Sequence, residues 1–297
     1  MIETKSHRAA LDTLLATGSL FFSCKRALPK IKLRLFPLLI GPTGAGKSFL
    51  VETAARQINA KYFRITRGDW IPSGSKGPRS TVFRILDEVA SFDRVVLHVD
   101  ELDKFTNLFE REWSASIASD LWNILDGKFQ WTEYLRETLF PGEKKPTEQE
   151  LARRVRSSLW IVGSGTWQHV FAENHARPSI GFHGGSLAEM VVDFGAIARS
   201  EMISQELLHR FGEPIFVEYP TPEETQRLLL STGISGLARQ LGIPISADQI
   251  DWRKGGMRVL EVLGTRLTIA LYRSKGPVQG TLPLEAEVDQ KQDPSPY

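Results

Sequence analysis

The segment GPTGAGKS, residues 41–48, constrains the fold of this chain more than any other stretch of the sequence. It matches the pattern G-x-x-x-x-G-K-[ST] at every fixed position. An apolar run typical of a buried strand precedes it at residues 35–40, and a helical pattern follows at residues 48–58. A strand, a glycine-rich turn and a helix in this order direct backbone N–H groups toward a phosphate group. The sequence therefore predicts a loop that binds the phosphates of a nucleoside triphosphate.

Every residue of this loop is a candidate contact for the nucleotide. Lys47 is expected to reach the β and γ phosphates, and the Ser48 hydroxyl is a candidate ligand for Mg²⁺. The glycines allow the backbone to approach the phosphates closely. The candidate nucleotide-binding residues are Gly41, Pro42, Thr43, Gly44, Ala45, Gly46, Lys47 and Ser48.

A second phosphate-side signal is the acidic pair in RVVLHVDELDK, residues 94–104. The apolar run predicts a buried strand that delivers Asp100 and Glu101 to the carboxyl edge of a sheet, where ligands of α/β proteins bind. We expect Asp100 to hold Mg²⁺ through water and Glu101 to polarise the attacking water. Strand alternation points His98 to the same face as Asp100. We interpret His98 as a packed or hydrogen-bonded histidine and not as a ligand.

Strands and helices alternate along the first 218 residues. The predicted strands are residues 35–40, 62–66, 94–99, 159–162 and 215–218, and the predicted helices are residues 8–27, 48–58, 81–90 and 116–125. This alternation predicts an α/β fold, in which a parallel sheet carries helices on both faces. Residues 136–156 are charged and contain proline, and we expect them to form an insertion or a mobile loop.

The pattern changes at YPTPEETQRLLL, residues 219–230. Thr221 and Glu224 predict a capping box, and Pro222 suits the first turn of a helix. Every segment from there to about residue 273 reads as helical. We therefore expect an α/β domain over residues 1–218 and a small helical domain over residues 219–273. Residues 274–297 lack core-forming periodicity and are expected to be a disordered tail.

Composition restricts the class of protein and its compartment. The net charge of +2 gives no overall basic field that would imply nucleic acid. The single cysteine, Cys24, excludes a disulfide framework and a Cys-rich zinc site, and fits a reducing compartment. The N-terminal residues lack the apolar segment of a signal peptide, and no window reaches the roughly 18 apolar residues of a membrane span. We expect a cytoplasmic protein without a membrane partner.

Four segments resemble the AAA+ ATPases and, within them, the branch of the ClpX and HslU unfoldases. In chain order they are LLIGPTGAGKSFLVETAA, VDELDKF, SLWIVGSGTWQ and KGGMRVLEVLGTRL. The resemblance implies a three-layer αβα P-loop NTPase domain followed by a small all-α lid, with ATP and Mg²⁺ as cofactors. It also implies an oligomeric ring, which is a hexamer in this branch.

The resemblance also assigns roles to further polar residues. Ser164 is the expected polar residue of the sensor-1 strand, with Thr166 as the second choice, and Arg258 stands at the arginine position of the sensor-2 helix. Arg210, in ELLHRFGEP, stands where the family places an arginine finger that a neighbouring subunit supplies. With Glu101, these residues form the expected catalytic set.

The stretch DWIPSGSKGPRS, residues 69–80, reads as a loop because of its glycines and prolines. It lies where the unfoldases place the pore loop that grips the substrate. In the best alignment Ser75 and Lys76 replace the aromatic and the aliphatic residue of the family's loop, and a basic loop of this kind suits a nucleic-acid backbone. A shifted alignment offers Trp70 and Ile71 as the gripping pair instead.

Three functions remain open at this point. The first is ATP hydrolysis by a ring that remodels or unfolds a protein client or complex. The second is an ATPase that acts on or with nucleic acid, as a loader, transposition helper or phage-defence protein. The third, an assembly scaffold with slow turnover, is disfavoured by the complete set of catalytic residues.

A short string raises the question of a peptidase partner. Ile180, Gly181 and Phe182 form the same tripeptide with which ClpX-type proteins dock on the ClpP peptidase. We interpret it as a local turn with a packed Phe182, and docking on a ClpP-like peptidase is the alternative.

Overall fold

The computed structural model describes residues 4–23, 35–73, 80–105, 112–129, 133–140, 142, 146–167, 205–212, 214–252, 256 and 258–275. Ser75, Lys76, the tripeptide at 180–182 and most of the tail from residue 274 lie outside these residues.

Five parallel strands form one sheet, as the alternating pattern predicts. They are β1 (Leu38–Ile40), β2 (Lys61–Ile65), β3 (Val95–Val99), β4 (Leu159–Gly165) and β5 (Pro214–Phe216). The spatial order is β2-β3-β4-β1-β5, and every neighbouring pair is parallel. The phosphate-loop strand β1 therefore lies inside the sheet, and its three residues are completely buried.

Helices follow or precede each strand. Their bounds are α1 (Lys5–Ser23), α2 (Lys47–Gln57), α3 (Thr81–Ser91), α4 (Glu112–Leu125), α5 (Glu133–Leu139), α6 (Glu148–Ser158), α7 (Gln205–Leu208), α8 (Pro222–Ser231), α9 (Ile234–Gln240) and α10 (Arg258–Lys275). Across the described residues, none of these helices has the length and apolar character needed to cross a bilayer.

Two hydrophobic clusters cover the two faces of the sheet. Leu39, Val96 and Trp160 pack with α1 and α2 on one face. Leu38 and Leu97, which alternate with them along the strands, pack with α3 and α4 on the other face. The strands are apolar on both sides because helices cover both sides. This arrangement confirms the three-layer α/β P-loop fold.

The expectation for residues 136–156 was wrong in part, because helices α5 and α6 occupy much of this segment. Thr147 and Glu150 form a capping box at the start of α6. Arg154 donates to two backbone carbonyls at the end of α3, at 2.8 and 2.9 Å. The charged residues that suggested a loop form the outer face of a helix whose apolar residues are buried.

Helices α8–α10 share a hydrophobic cluster of their own. The capping box of Thr221 and Glu224 begins α8, with Pro222 at the first turn, as predicted. Trp252 anchors the cluster, and its indole N–H donates to Thr225 Oγ1 at 2.9 Å. The helical character of this region is therefore confirmed for the described residues.

Trp70 belongs to the core and does not suit the alternative role of a substrate-gripping aromatic. Its side chain is 5% exposed and packs edge-on against Phe105, with 5.8 Å between the ring centroids. Its indole N–H donates to Asp120 Oδ2 at 3.3 Å, and Asp120 also accepts hydrogen bonds from Ser73. The sequence suggested a loop because of the glycines and prolines that follow, but Trp70 itself anchors the start of that loop.

Because Trp70 is a packed core residue, Trp70→Ala is expected to lower the free energy of unfolding by about 3–5 kcal/mol. Ile71 is 37% exposed and provides a neighbouring control, so Ile71→Ala is expected to cost less than about 1 kcal/mol. Urea unfolding followed by tryptophan fluorescence and circular dichroism measures both values. Equal stability of wild type and Trp70→Ala would contradict the packing described here.

Candidate active site

The phosphate loop, residues 41–48, connects β1 to α2, and its lysine is held inside it. Lys47 Nζ donates to the carbonyl oxygens of Gly41 at 2.6 Å and Pro42 at 2.9 Å. Burial lowers the pKa of Lys47 to about 8, against the opposing attraction of Asp100. The ammonium group therefore has two backbone carbonyls as partners, and a phosphate could replace them.

Two glycines of the loop have steric reasons to be glycine. Gly46 has a φ of 86°, in the left-handed region that disfavours other residues. A Cβ atom on Gly41 would lie 2.1 Å from the carbonyl oxygen of Val217. The residue types of the loop thus follow from its backbone path as well as from its ligand.

The N-terminal helix contacts the loop through a histidine that the sequence patterns do not reveal. The buried His7 ring places Nε2 at 2.7 Å from the Ala45 carbonyl oxygen and Nδ1 at 2.5 Å from Thr4 Oγ1. A carbonyl only accepts, so Nε2 carries the proton and Nδ1 accepts from the threonine. Burial lowers the pKa of His7, which keeps this neutral form. Ala45 is thereby held from outside the loop.

Two residues from the C-terminal part of the chain also touch the loop. The Tyr219 hydroxyl donates to the Thr43 carbonyl at 2.7 Å. Gly256 has a φ of 56°, and a Cβ atom on it would lie 2.3 Å from the backbone of Gly44. The tip of the phosphate loop is therefore in contact with the segment that leads into α10.

The carboxylate of Asp100 is the centre of the polar network at the carboxyl edge of the sheet. Its Oδ2 accepts from Ser48 Oγ at 2.9 Å and from Arg64, whose Nε and Nη2 lie at 2.9 and 2.7 Å. Its Oδ1 accepts from Ser164 Oγ at 2.5 Å and from the Glu101 N–H at 2.9 Å. Burial alone raises the pKa of Asp100, but its charged and hydrogen-bonding neighbours outweigh burial and hold the pKa well below its usual range.

The oxygen atoms at this edge fit a magnesium ion bound together with a nucleotide. Ser48 Oγ and Asp100 Oδ2 are 2.9 Å apart, and both are hard oxygen donors of the kind that Mg²⁺ prefers. Among the described residues there is no group of three or more His, Cys, Asp or Glu side chains that could hold a metal. This composition suits a metal whose remaining ligands are phosphate oxygens and water.

A directed chain of hydrogen bonds runs behind Asp100. Tyr62 Oη lies 2.8 Å from His98 Nδ1, and His98 Nε2 lies 2.8 Å from Ser164 Oγ. Because Asp100 only accepts, Ser164 donates to it, so His98 donates to Ser164 and accepts from Tyr62. The completely buried His98 has a pKa lowered to about 4, mainly by burial. Its interpretation as a hydrogen-bonded histidine is confirmed.

Glu101 stands at the end of β3 with a φ of 55°, and its side chain is partly exposed. Its Oε1 accepts from Lys104 Nζ at 2.6 Å. A carboxylate at this edge that is not buried can approach an attacking water once Lys104 moves aside.

The two sensor candidates, Ser164 and Thr166, hydrogen-bond to different carboxylates in the structure. Ser164 contacts Asp100 directly, whereas Thr166 is bound by a different carboxylate. Asp103 accepts from the Thr166 hydroxyl at 2.8 Å and from its N–H at 3.1 Å. The geometry thus places Ser164, the first choice, in the network around Asp100.

Arg210 lies at the amino ends of the parallel strands, whereas the phosphate loop lies at their carboxyl ends. It precedes β5, and the Gly212 N–H donates to the carbonyl of Phe36, ahead of β1. Its guanidinium forms two hydrogen bonds with Asp126, from Nε to Oδ1 at 2.8 Å and from Nη2 to Oδ2 at 3.1 Å. The phosphate loop follows the other end of β1, so Arg210 and the loop belong to opposite edges.

Arg258 is the first residue of α10, and its side chain lies outside the described part of the structure. Its neighbour Gly256 contacts Gly44, so the start of α10 is next to the phosphate loop. The sensor-2 role of Arg258 stays a prediction.

Four residues of the site were missed by the sequence patterns, namely Arg64, His7, Tyr219 and Gly256. Each acts through a contact between distant segments, such as Arg64 on β2, whose register partner on β3 is His98. Parallel pairing of these strands was foreseeable, but their register was not, because nothing in the two short sequences marks which residues pair.

The low pKa of His98 predicts a pH-dependent stability. Its folded pKa of about 4 is below the ordinary value of 6.5, so the unfolded chain binds more protons between these values. Stability is therefore lost as the pH falls from about 6.5 toward 4. Wild type is expected to lose up to about 3 kcal/mol more than His98→Gln over this range. Urea unfolding at several pH values measures the difference.

Tyr62→Phe is the matched control, because it removes one hydrogen bond and leaves the titrating ring of His98 in place. Its pH dependence should follow that of wild type. Parallel stability curves for wild type and His98→Gln would contradict the buried neutral histidine.

Comparison with protein families agrees with the fold and the geometry of the site. Residues 37–219, well over half of the chain, match the family described as ATPase family associated with various cellular activities (AAA). The matched range includes the phosphate loop, Asp100, Glu101, Ser164 and Arg210. The chain belongs to the AAA family and is a P-loop ATPase.

Proposed function

We propose that this AAA ATPase hydrolyses Mg²⁺-bound ATP between the subunits of a ring and uses the energy to remodel or unfold a protein client. The resemblance to the ClpX and HslU branch suggests six subunits. The observation that carries the proposal is the position of Arg210, at the sheet edge opposite to its own phosphate loop. An arginine finger in that position serves a nucleotide on a neighbouring subunit.

The residues of the site have distinct tasks in this reaction. Lys47 leaves the carbonyls of Gly41 and Pro42 and binds the β and γ phosphates. A Mg²⁺ ion bound by Ser48 and, through water, by Asp100 would neutralise charge on the phosphates.

Glu101 and Ser164 complete the reaction centre. Glu101 exchanges its ion pair with Lys104 for the attacking water and accepts the proton of that water as its oxygen bonds to the γ phosphorus. The bond between the γ phosphorus and the oxygen that bridges to the β phosphate breaks, and ADP leaves with that oxygen. Ser164 senses the loss of the γ phosphate, because its hydroxyl is hydrogen-bonded to Asp100 beside the phosphate loop.

The intersubunit site predicts complementation between two inactive variants. Glu101→Gln lacks the base and should lower turnover by about 10²–10⁴-fold. Arg210→Ala lacks the finger and should lower it by about a thousandfold or more. A mixture of the two should recover activity, since some interfaces then combine an intact Glu101 with an intact Arg210. Phosphate release against mixing ratio, with light scattering for the assembly, measures this.

Arg239→Ala serves as the control, because Arg239 is an exposed arginine on α9, and its turnover should equal that of wild type. Mixtures that stay inactive while the ring forms would exclude a finger acting between subunits. Full activity of Arg210→Ala alone would exclude Arg210 as the finger.

A nucleic-acid substrate is the second candidate, and the burial of Trp70 favours it. With Trp70 in the core, the aromatic pair of the shifted alignment is lost. Lys76 then remains as a basic residue at the gripping position of the best alignment. A ring would present one such lysine per subunit to a phosphate backbone. An assembly scaffold with slow turnover stays the third and weakest candidate.

The client class is tested with the trapped variant Glu101→Gln in ATP, which should retain its substrate. Stimulation of wild-type turnover by an unfolded protein supports the remodelling function. Stimulation by DNA or RNA that falls steeply with salt supports the second candidate. In that case Lys76→Ala should abolish the stimulation, whereas the exposed Lys128→Ala should not.

A further inference from the structure

The candidate metal ligand Asp100 forms an ion pair with an arginine side chain in this structure. Two nitrogens of Arg64 approach its Oδ2, Nη2 at 2.7 Å and Nε at 2.9 Å. Ser48 Oγ donates to the same oxygen at 2.9 Å. The guanidinium therefore occupies the side of the carboxylate that faces the second candidate ligand of Mg²⁺.

The position of Arg64 follows from the register of the sheet. Arg64 on β2 pairs with His98 on β3, two residues before Asp100. Residues paired in this way lie side by side on one face of the sheet, so an arginine side chain reaches the end of the neighbouring strand. The ion pair is thus built into the strand alignment and does not depend on a loop.

Charge and exposure decide what this ion pair does. A guanidinium stays charged at any physiological pH, so Arg64 is a permanent positive charge beside the metal position. Its side chain is 48% exposed, whereas that of Asp100 is 8% exposed. Arg64 can therefore move into water, where its charge is well solvated. Asp100 stays buried, so the loss of Arg64 would leave a poorly solvated charge unless another cation replaces it.

We propose that Arg64 competes with the divalent cation for Asp100, and that metal binding with the nucleotide displaces it toward solvent. Arg64 is then a positioning residue that neutralises Asp100 before the metal binds and sets the free metal concentration at which the site fills. This inference rests on the metal site of the proposed function.

The test is a Mn²⁺ titration followed by electron paramagnetic resonance, with a non-hydrolysable ATP analogue bound. Arg64→Gln should lower the half-saturating free Mn²⁺ by about tenfold relative to wild type, because a competing unit charge is removed. Arg64→Lys keeps the charge and should change it much less. Arg56→Gln is the control, since Arg56 is an exposed arginine on α2 paired with Glu52, and it should match wild type.

A double variant separates competition at Asp100 from a general effect of charge. In an Asp100→Asn background the carboxylate is gone, so adding Arg64→Gln should give no further gain in Mn²⁺ affinity. A gain of the same size in both backgrounds would overturn the proposal. Weaker or unchanged Mn²⁺ binding in Arg64→Gln would also overturn it, because Arg64 would then support the ligand or play no part.

Binding of a fluorescent ATP analogue without metal distinguishes a failure of the metal site from a failure of the competition by Arg64. If every variant binds the nucleotide but none binds Mn²⁺, the metal site of the proposed function fails, and the role of Arg64 fails with it. If Mn²⁺ binds equally to all Arg64 variants, the metal site stands and only the competition is wrong. Unfolding curves for Arg64→Gln and Arg64→Lys confirm that folded protein is compared.

Discussion

The rest of the site depends on the hydrogen bonds and the ion pair that the buried carboxylate of Asp100 accepts. A buried charge without partners costs several kcal/mol, so the chain must supply donors wherever Asp100 is placed. The donors come from separate elements: Ser48 from α2, Arg64 from β2 and Ser164 from β4. One carboxylate thereby fixes the relative positions of the phosphate loop, the sheet edge and the sensor strand.

This network also gives the polar groups of the phosphate loop hydrogen-bond partners within the chain. Lys47 is satisfied by backbone carbonyls, and Ser48 by Asp100. Behind them the chain from Tyr62 through His98 orients the hydroxyl of Ser164 toward the same carboxylate. A bound triphosphate therefore exchanges existing hydrogen bonds for new ones, and the net binding energy is the difference between the two sets.

The sequence predicts this site as far as its chemistry is local. The loop at residues 41–48 and the acidic pair at the end of β3 are contiguous motifs, and the structure places them together. The sequence patterns did not identify Arg64 and His7, because the role of Arg64 depends on strand register and that of His7 on the packing of α1. The burial of Trp70, which was only an alternative for the gripping aromatic, could not be foreseen, because the glycines and prolines after it describe the loop and not the residue that anchors it.

The contacts around the tip of the phosphate loop give a physical route from the nucleotide to the C-terminal helices. Gly256 leaves no room for a Cβ atom against Gly44, and Tyr219 holds the Thr43 carbonyl. The backbone of Lys5, ahead of His7, donates to Glu224 at the start of α8. Because these contacts are close-packed and directional, we expect a shift of the loop on phosphate binding to displace α8 and α10 rather than be absorbed within the loop.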